Sequence, residues 1–158
     1  MSLILGIETA TKMCSVALSD ENGLLALKEV GGEYSHAENL NLFIEEVCKE
    51  AGKKLPEIDA IAVSKGPGSY TGLRIGVSAA KGFCTALEIP LISVDTLQAM
   101  AIKPSGEIER GVLFCPMIDA RRMEVFTAFY DGEGNKVEEI SAKIIDENSF
   151  EKELNAGK

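Results

Sequence analysis

Histidine is the scarcest chemically versatile residue in this 158-residue chain: there is one, His36. A site that needs two imidazoles, such as H-E-x-x-H zinc chemistry, is excluded. The four cysteines, Cys14, Cys48, Cys84 and Cys115, form no C-x-x-C pair. Each lies in an apolar pattern, where Cys acts as a small core residue, so buried thiols in a reducing cytosol are expected. Basic residues are in deficit: 16 Lys and Arg stand against 25 Asp and Glu, for a formal net charge of -9. Phosphate backbones attract cations, so the chain alone is a poor candidate for tight RNA or DNA binding. No apolar run approaches the roughly 20 residues that span a bilayer. The opening MSLILGIETAT has no basic stretch ahead of its apolar run, so neither a membrane span nor a signal peptide is expected.

What is present is a core-forming composition, 46% hydrophobic and 26% charged, and a readable order of elements. Leu3 to Ile7 is a short apolar run, the mark of a buried strand. Cys14, Val16 and Leu18 alternate with small residues as a second strand, and a third runs from Leu24 to Val30. Short turns between them predict an antiparallel meander. Ser35-His36-Ala37-Glu38 fits a capping box. Beyond it Ala37, Leu40, Ile44, Val47 and Ala51 recur at helical spacing, with Gly52 as C-cap. A strand over 58–63 leads into SKGPGSYTGLRIG. Leu73, Val77, Ala80, Cys84 and Leu87 then predict a second helix that starts near Thr71 and ends before Pro90. A strand over 91–94 and a short helix capped by Asp95 follow. Lys103-Pro104-Ser105-Gly106-Glu107 reads as a boundary. After it, strands over 112–118, 124–130 and 137–145 and a helix over 147–154 start a second, similar pattern. The expected division is residues 1–103 as one α/β domain and 104–158 as the start of an incomplete second one.

Three stretches carry chemical options. In GIETAT, Glu8, Thr9, Ala10 and Thr11 make a turn rich in hydroxyls and N–H groups. It suits a phosphate or a metal-bound water, or an ordinary hairpin with a capping acid. In the glycine-rich stretch, Gly66, Gly68 and Gly72 permit close backbone approach, and the helix start could take an anion. The Lys of a Walker A loop is missing, and the pattern is not G-x-S-x-G, so nucleophilic use of Ser64 or Ser69 is disfavoured. Gly72, Gly76, Ala80 and Cys84 form one i, i+4 row. Two glycines in a helix cost roughly 1 kcal/mol each relative to Ala, which implies a close neighbour. That neighbour is either the domain's own first helix or a partner's helix, and Tyr70 and Arg74 beside the row favour an interface. In IDARRMEVF, Arg121 and Arg122 form a solvated turn, pair with Asp119 and Glu124, or hold an anionic ligand.

ILGIETAT with CSVAL, then SKGPGSYTGLRIGVSAAKGF, then SVDTLQAMA and IDARRMEVF, in this order, resemble the TsaB (YeaZ) family over residues 3 to about 130. The resemblance implies the actin, Hsp70 and sugar-kinase (ribonuclease H-like) ATPase fold with two related α/β domains. It implies a place in the bacterial machinery that installs threonylcarbamoyl on the tRNA adenosine after the anticodon, in the cytoplasm. There TsaB is a non-catalytic scaffold or activator of its paralogue TsaD, with TsaE as a further partner, and it also self-associates as a homodimer. The interface residues so implied are Tyr70, Thr71, Gly72, Leu73, Arg74, Gly76, Val77 and Ala80. Glu8, Thr9, Ala10 and Thr11 would be a vestigial phosphate loop.

No catalytic residue, metal or cofactor is expected in the chain itself. ATP or ADP would bind only at an interface with TsaD or TsaE, and tRNA only through the complex. The TsaD histidine pair is replaced here by the segment Val94, Asp95, Thr96 and Met100, and neither a hydroxyl nor a thioether substitutes for two imidazoles. Glu8 stands where Asp is more usual in this fold, and Ala10 where a hydroxyl is common; both weaken the case for ATP hydrolysis. Family members usually extend further, so the second domain is expected to be truncated. The alternatives are an ATPase or small-molecule kinase using Glu8 and Thr9, or a glycoprotease-like peptidase, as older labels for the family suggest.

Overall fold

The computed structural model describes residues 2–32, 35–102 and 111–155. Contacts divide the chain into two compact units, Met1–Val94 and Asp95–Lys158.

The first unit holds strands β1 (Ile4–Glu8), β2 (Met13–Asp20), β3 (Gly23–Gly31), β4 (Ala60–Ser64) and β5 (Leu91–Val94), and helices α1 (Ser35–Glu50) and α2 (Tyr70–Leu87). The strands form one sheet in the order β3-β2-β1-β4-β5. β1 to β3 make the expected antiparallel meander, and β1, β4 and β5 run parallel. Strand periodicity sends Leu5, Ile7, Val16, Leu18, Ile61 and Val63 to one face, where they are buried in a single cluster with Leu40, Ile44 and Val47 of α1 and Ala80 of α2. Helix α1 ends as the sequence indicates: Gly52 takes φ +65, and the Gly52 and Lys53 N–H groups donate to the carbonyls of Lys49 and Cys48. This αL turn satisfies end carbonyls that a β-carbon would strain. Ala37, expected on the buried stripe, is exposed, and Phe43 and Cys48 take part in the core instead. A 3-10 turn over Leu55–Glu57, unforeseen in the sequence, leads into β4.

The second unit holds α3 (Thr96–Ala101), a three-stranded antiparallel sheet of β6 (Met117–Arg121), β7 (Glu124–Thr127) and β8 (Ser141–Ile144), and α4 (Glu151–Asn155). Its small core is Leu97, Ala101, Ala128 and Tyr130. The units part ahead of the expected boundary because Leu97 and Ala101 pack with Tyr130 rather than with the first core. The residues of that expected boundary, and the Ser35 side chain of the capping box, lie outside the described residues. The strand expected over 112–118 is mostly irregular, reduced to a bridge of Phe114 with Tyr130 before β6 begins. Pro116 lacks the N–H that a ladder requires. The strand expected over 137–145 shortens to β8, and the helix expected over 147–154 to α4.

Candidate functional site

The Glu8–Lys12 turn joins β1 to β2 beside the N-terminal ends of α1 and α2, and its polar groups are engaged within the chain. The Glu8 carboxylate accepts from the Ala10 N–H at 2.5 Å and from the Ser64 hydroxyl. Ser64 itself ends β4 beside β1. Thr9, 1% exposed, donates its Oγ1 proton to the Gly72 carbonyl at 2.8 Å. The Ala10 carbonyl accepts from the Ser69 N–H at 2.6 Å. The Thr11 hydroxyl accepts from the Met13 N–H at 3.2 Å, and its carbonyl accepts from His36 Nε2 at 2.9 Å. The turn is thus a brace on which both helices start. A phosphate cradle would leave such groups open.

The glycine-rich stretch is shaped by the same brace. Gly66 has φ +109, a backbone conformation open to glycine. A β-carbon on Gly68 would collide with the Ala10 carbonyl, one on Gly72 with the Thr9 carbonyl, and one on Gly76 with Thr9 Oγ1. Ser69 caps α2, its Oγ accepting from the Gly72 N–H at 3.3 Å.

This corrects part of the expected partner surface. Gly72, Gly76, Ala80 and Cys84 are the buried residues of α2. The nearest neighbour of both glycines is this chain's own Thr9, with His36 of α1 also 3.4 Å from a β-carbon placed on Gly72, so Gly72, Gly76 and Ala80 face the interior of the unit rather than its surface. Of the periodic set read from the sequence, Ala80 and Cys84 are buried, and Leu73, Val77 and Leu87 lie half-buried at the flanks. Of the expected interface residues, Tyr70, Thr71 and Arg74 face outward. Tyr70 is 74% exposed, with the Arg74 guanidinium 5.6 Å from its ring centroid. A shallow cavity of about 200 Å³ opens on the sheet face away from the helices, lined by Gly6, Ala17 and Ala62 with Glu8, Ser15 and Ser64 at one end.

No local pattern signals that Ser64 and His36 belong to the brace, since each lies far along the chain from the residue it bonds. The Ser69 cap was legible as a serine just ahead of a helical pattern. Burial pushes the thiols of Cys14, Cys48, Cys84 and Cys115 above their ordinary pKa, which keeps them protonated and poor nucleophiles. Among the described residues no group of three or more His, Cys, Asp or Glu is arranged to hold a metal ion, and no helix is long and apolar enough to cross a membrane.

Known proteins match this arrangement. A family model described as TsaD, tRNA N6-adenosine threonylcarbamoyltransferase, matches residues 32–156. The tRNA threonylcarbamoyladenosine biosynthesis protein TsaB of Escherichia coli is 35% identical over 134 residues, covering 85% of this chain and 57% of the relative. A tRNA N6-adenosine threonylcarbamoyltransferase of Zymomonas mobilis is 35% identical over 120 residues, 66% of this chain and 33% of the relative. The solved structure of YeaZ from Pseudomonas aeruginosa superposes with a TM-score of 0.76 at 31% identity, covering 92% of this chain and 68% of that one. The chain spans about half the length of the curated relatives it matches. With the mixed α/β architecture expected of the actin-like ATPase fold, and with the glycine-rich motif set against the β1–β2 turn, the chain belongs to the TsaB (YeaZ) family.

Proposed function

We propose that the chain serves the bacterial assembly that forms N6-threonylcarbamoyladenosine in tRNA next to the anticodon, as a non-catalytic scaffold or activator of TsaD, with TsaE as a further partner. The observation that carries the non-catalytic reading is the engagement of the Glu8–Thr11 turn. The Glu8 carboxylate and the Thr9 hydroxyl that a phosphate-handling loop would present are taken up by Ala10, Ser64 and Gly72, and the Thr11 hydroxyl accepts from the Met13 N–H. Asp95, in the segment that would answer to the TsaD histidine pair, accepts from the Leu97 and Gln98 N–H groups as the cap of α3. ATP or ADP would bind only at an interface with TsaD or TsaE. The work is placed in the cytoplasm, where the tRNA is.

The proposed partner surface is the outward face of α2: Tyr70, Thr71 and Arg74, flanked by Leu73 and Val77. A Tyr stacked against an Arg on a rigid, capped helix start is a common anchor composition. The same face would serve a homodimer in the absence of TsaD. The double variant Tyr70→Ala/Arg74→Glu is expected to weaken association with TsaD at least about tenfold in sedimentation, with an unchanged thermal midpoint. Undiminished association would remove α2 as the docking face. Gly76→Arg is unsuited to this test, because the side chain would enter the space of Thr9 and unfold the unit.

A further inference from the structure

We propose that the tip of the β6–β7 hairpin, Arg121-Arg122, is a phosphate-binding point for the backbone of an RNA; this rests on the reading above that the chain serves a tRNA-modifying assembly. The function proposed above makes no use of this motif. The sequence left three options for the arginines, and the structure removes one. Neither guanidinium makes an ion pair with Asp119 or Glu124; the ion pairs among the described residues join Lys28 to Glu50, Lys53 to Glu57 and Lys136 to Glu139. Asp119 is otherwise occupied, accepting from the Arg121 N–H at 2.7 Å.

The turn is held rather than loose. Arg121, Arg122 and Met123 take φ values of 70°, 55° and 61°. Three successive non-glycine residues in the left-handed region are disfavoured by roughly 1 kcal/mol or more each. The Asp119 contact and the Ile145 N–H donating to the Met123 carbonyl at 2.8 Å keep them there. The result is two adjacent exposed guanidiniums on the rim of a concave space of about 740 Å³. A guanidinium fork matches two oxygens of a phosphodiester. With a net charge of -9 the rest of the molecule repels RNA, so the contact is local, one or two phosphates made alongside a partner that supplies the main basic surface.

Arg121→Gly/Arg122→Gly removes both charges and suits positive φ, so the turn keeps its shape. An unmodified tRNA transcript is titrated against the chain alone and against its mixture with TsaD, at several salt concentrations, for the original chain and the double variant. The expected result is weaker binding by the variant at low salt. The slope of log affinity against log salt should fall by about 1.4 to 1.8 for two lost phosphate contacts. Arg121→Lys/Arg122→Lys should retain most of the slope. Unchanged affinity and slope in the double variant, or no tRNA binding in either mixture, overturns the proposal. Weakened TsaD association with unchanged tRNA affinity also overturns it and assigns the turn to a protein contact. Failure of the original chain to associate with TsaD at all is a separate result, read from the sedimentation arm, and it overturns the reading on which the proposal rests.

Discussion

Thr9 is the residue on which the first unit turns. Its hydroxyl proton goes to the Gly72 carbonyl, and its backbone and side chain occupy the space that β-carbons on Gly72 and Gly76 would need. Thr9→Val keeps the volume but removes the side-chain donor to the Gly72 carbonyl, which retains its place in the helical ladder. The expected loss is about 0.5 to 1.5 kcal/mol in denaturant unfolding. Gly76→Ala should destabilise by about 1 to 3 kcal/mol despite the better helix propensity of Ala. Much of that loss should be recovered by adding Thr9→Ala, since the colliding atom is Thr9 Oγ1; additive effects in the double-mutant cycle would contradict this geometry. Gly82, in the same helix, has nothing within 4 Å of an added β-carbon. Gly82→Ala should therefore stabilise by about 1 kcal/mol. The sequence showed that the glycine row demands a close neighbour, but not which one. Thr9 and Gly76 lie far apart in the chain, and local pattern carries no record of which turn a helix will meet.

At the scale of elements, what was legible followed backbone periodicity. The meander, α1 with its Gly52 cap, and α2 ending ahead of Pro90 are set by alternation, by 3.6-residue spacing and by residues that fix φ. The Leu24–Val30 strand extends to Gly23–Gly31 as β3, and α3 is capped by Asp95 as expected. The second unit was harder to read. Its strands are short and interrupted by Pro116 and by the Asp131–Asn135 turn, and its core is only a few side chains. Asp95 does double duty there. Besides capping α3 it faces the buried Tyr130 hydroxyl at 3.5 Å. Asp95→Ala should lower the stability of the second unit by about 1 to 2 kcal/mol, more than an ordinary cap deletion, because Tyr130 also loses a partner. Thermal unfolding compared with that of an exposed cap variant such as Ser69→Ala would show the difference.

For the whole molecule, two separate cores imply two responses to solution conditions. Burial, with the Asp95 charge beside it, pushes the Tyr130 hydroxyl up to about 12 from an ordinary value of 10.0. The folded state thus holds its proton more tightly than the unfolded chain. Stability from this source is complete below pH 10 and falls as pH rises from 10 to 12. The loss should be on the order of 1 to 2 kcal/mol, confined to the second unit and absent in Tyr130→Phe. A pH titration of unfolding that gave the same alkaline slope for both proteins would rule it out.

The sequence by itself determined the residue types and their local order: a single histidine, a deficit of cations, strands and helices with their caps, and a glycine row that needs a tight neighbour. These follow from composition and short-range backbone preference. Tertiary structure alone decided that Thr9 is that neighbour, that Ser64 and His36 brace the turn, and that Tyr70 and Arg74 rather than Gly72 and Gly76 face outward. It also left Arg121 and Arg122 unpaired with Asp119 and Glu124, and without a carboxylate partner among the described residues. Each of these is a contact between residues remote in the chain, or the absence of one. It depends on how β1, β4 and α2 are stacked, or on how the β6–β7 turn is wound, which no local pattern specifies.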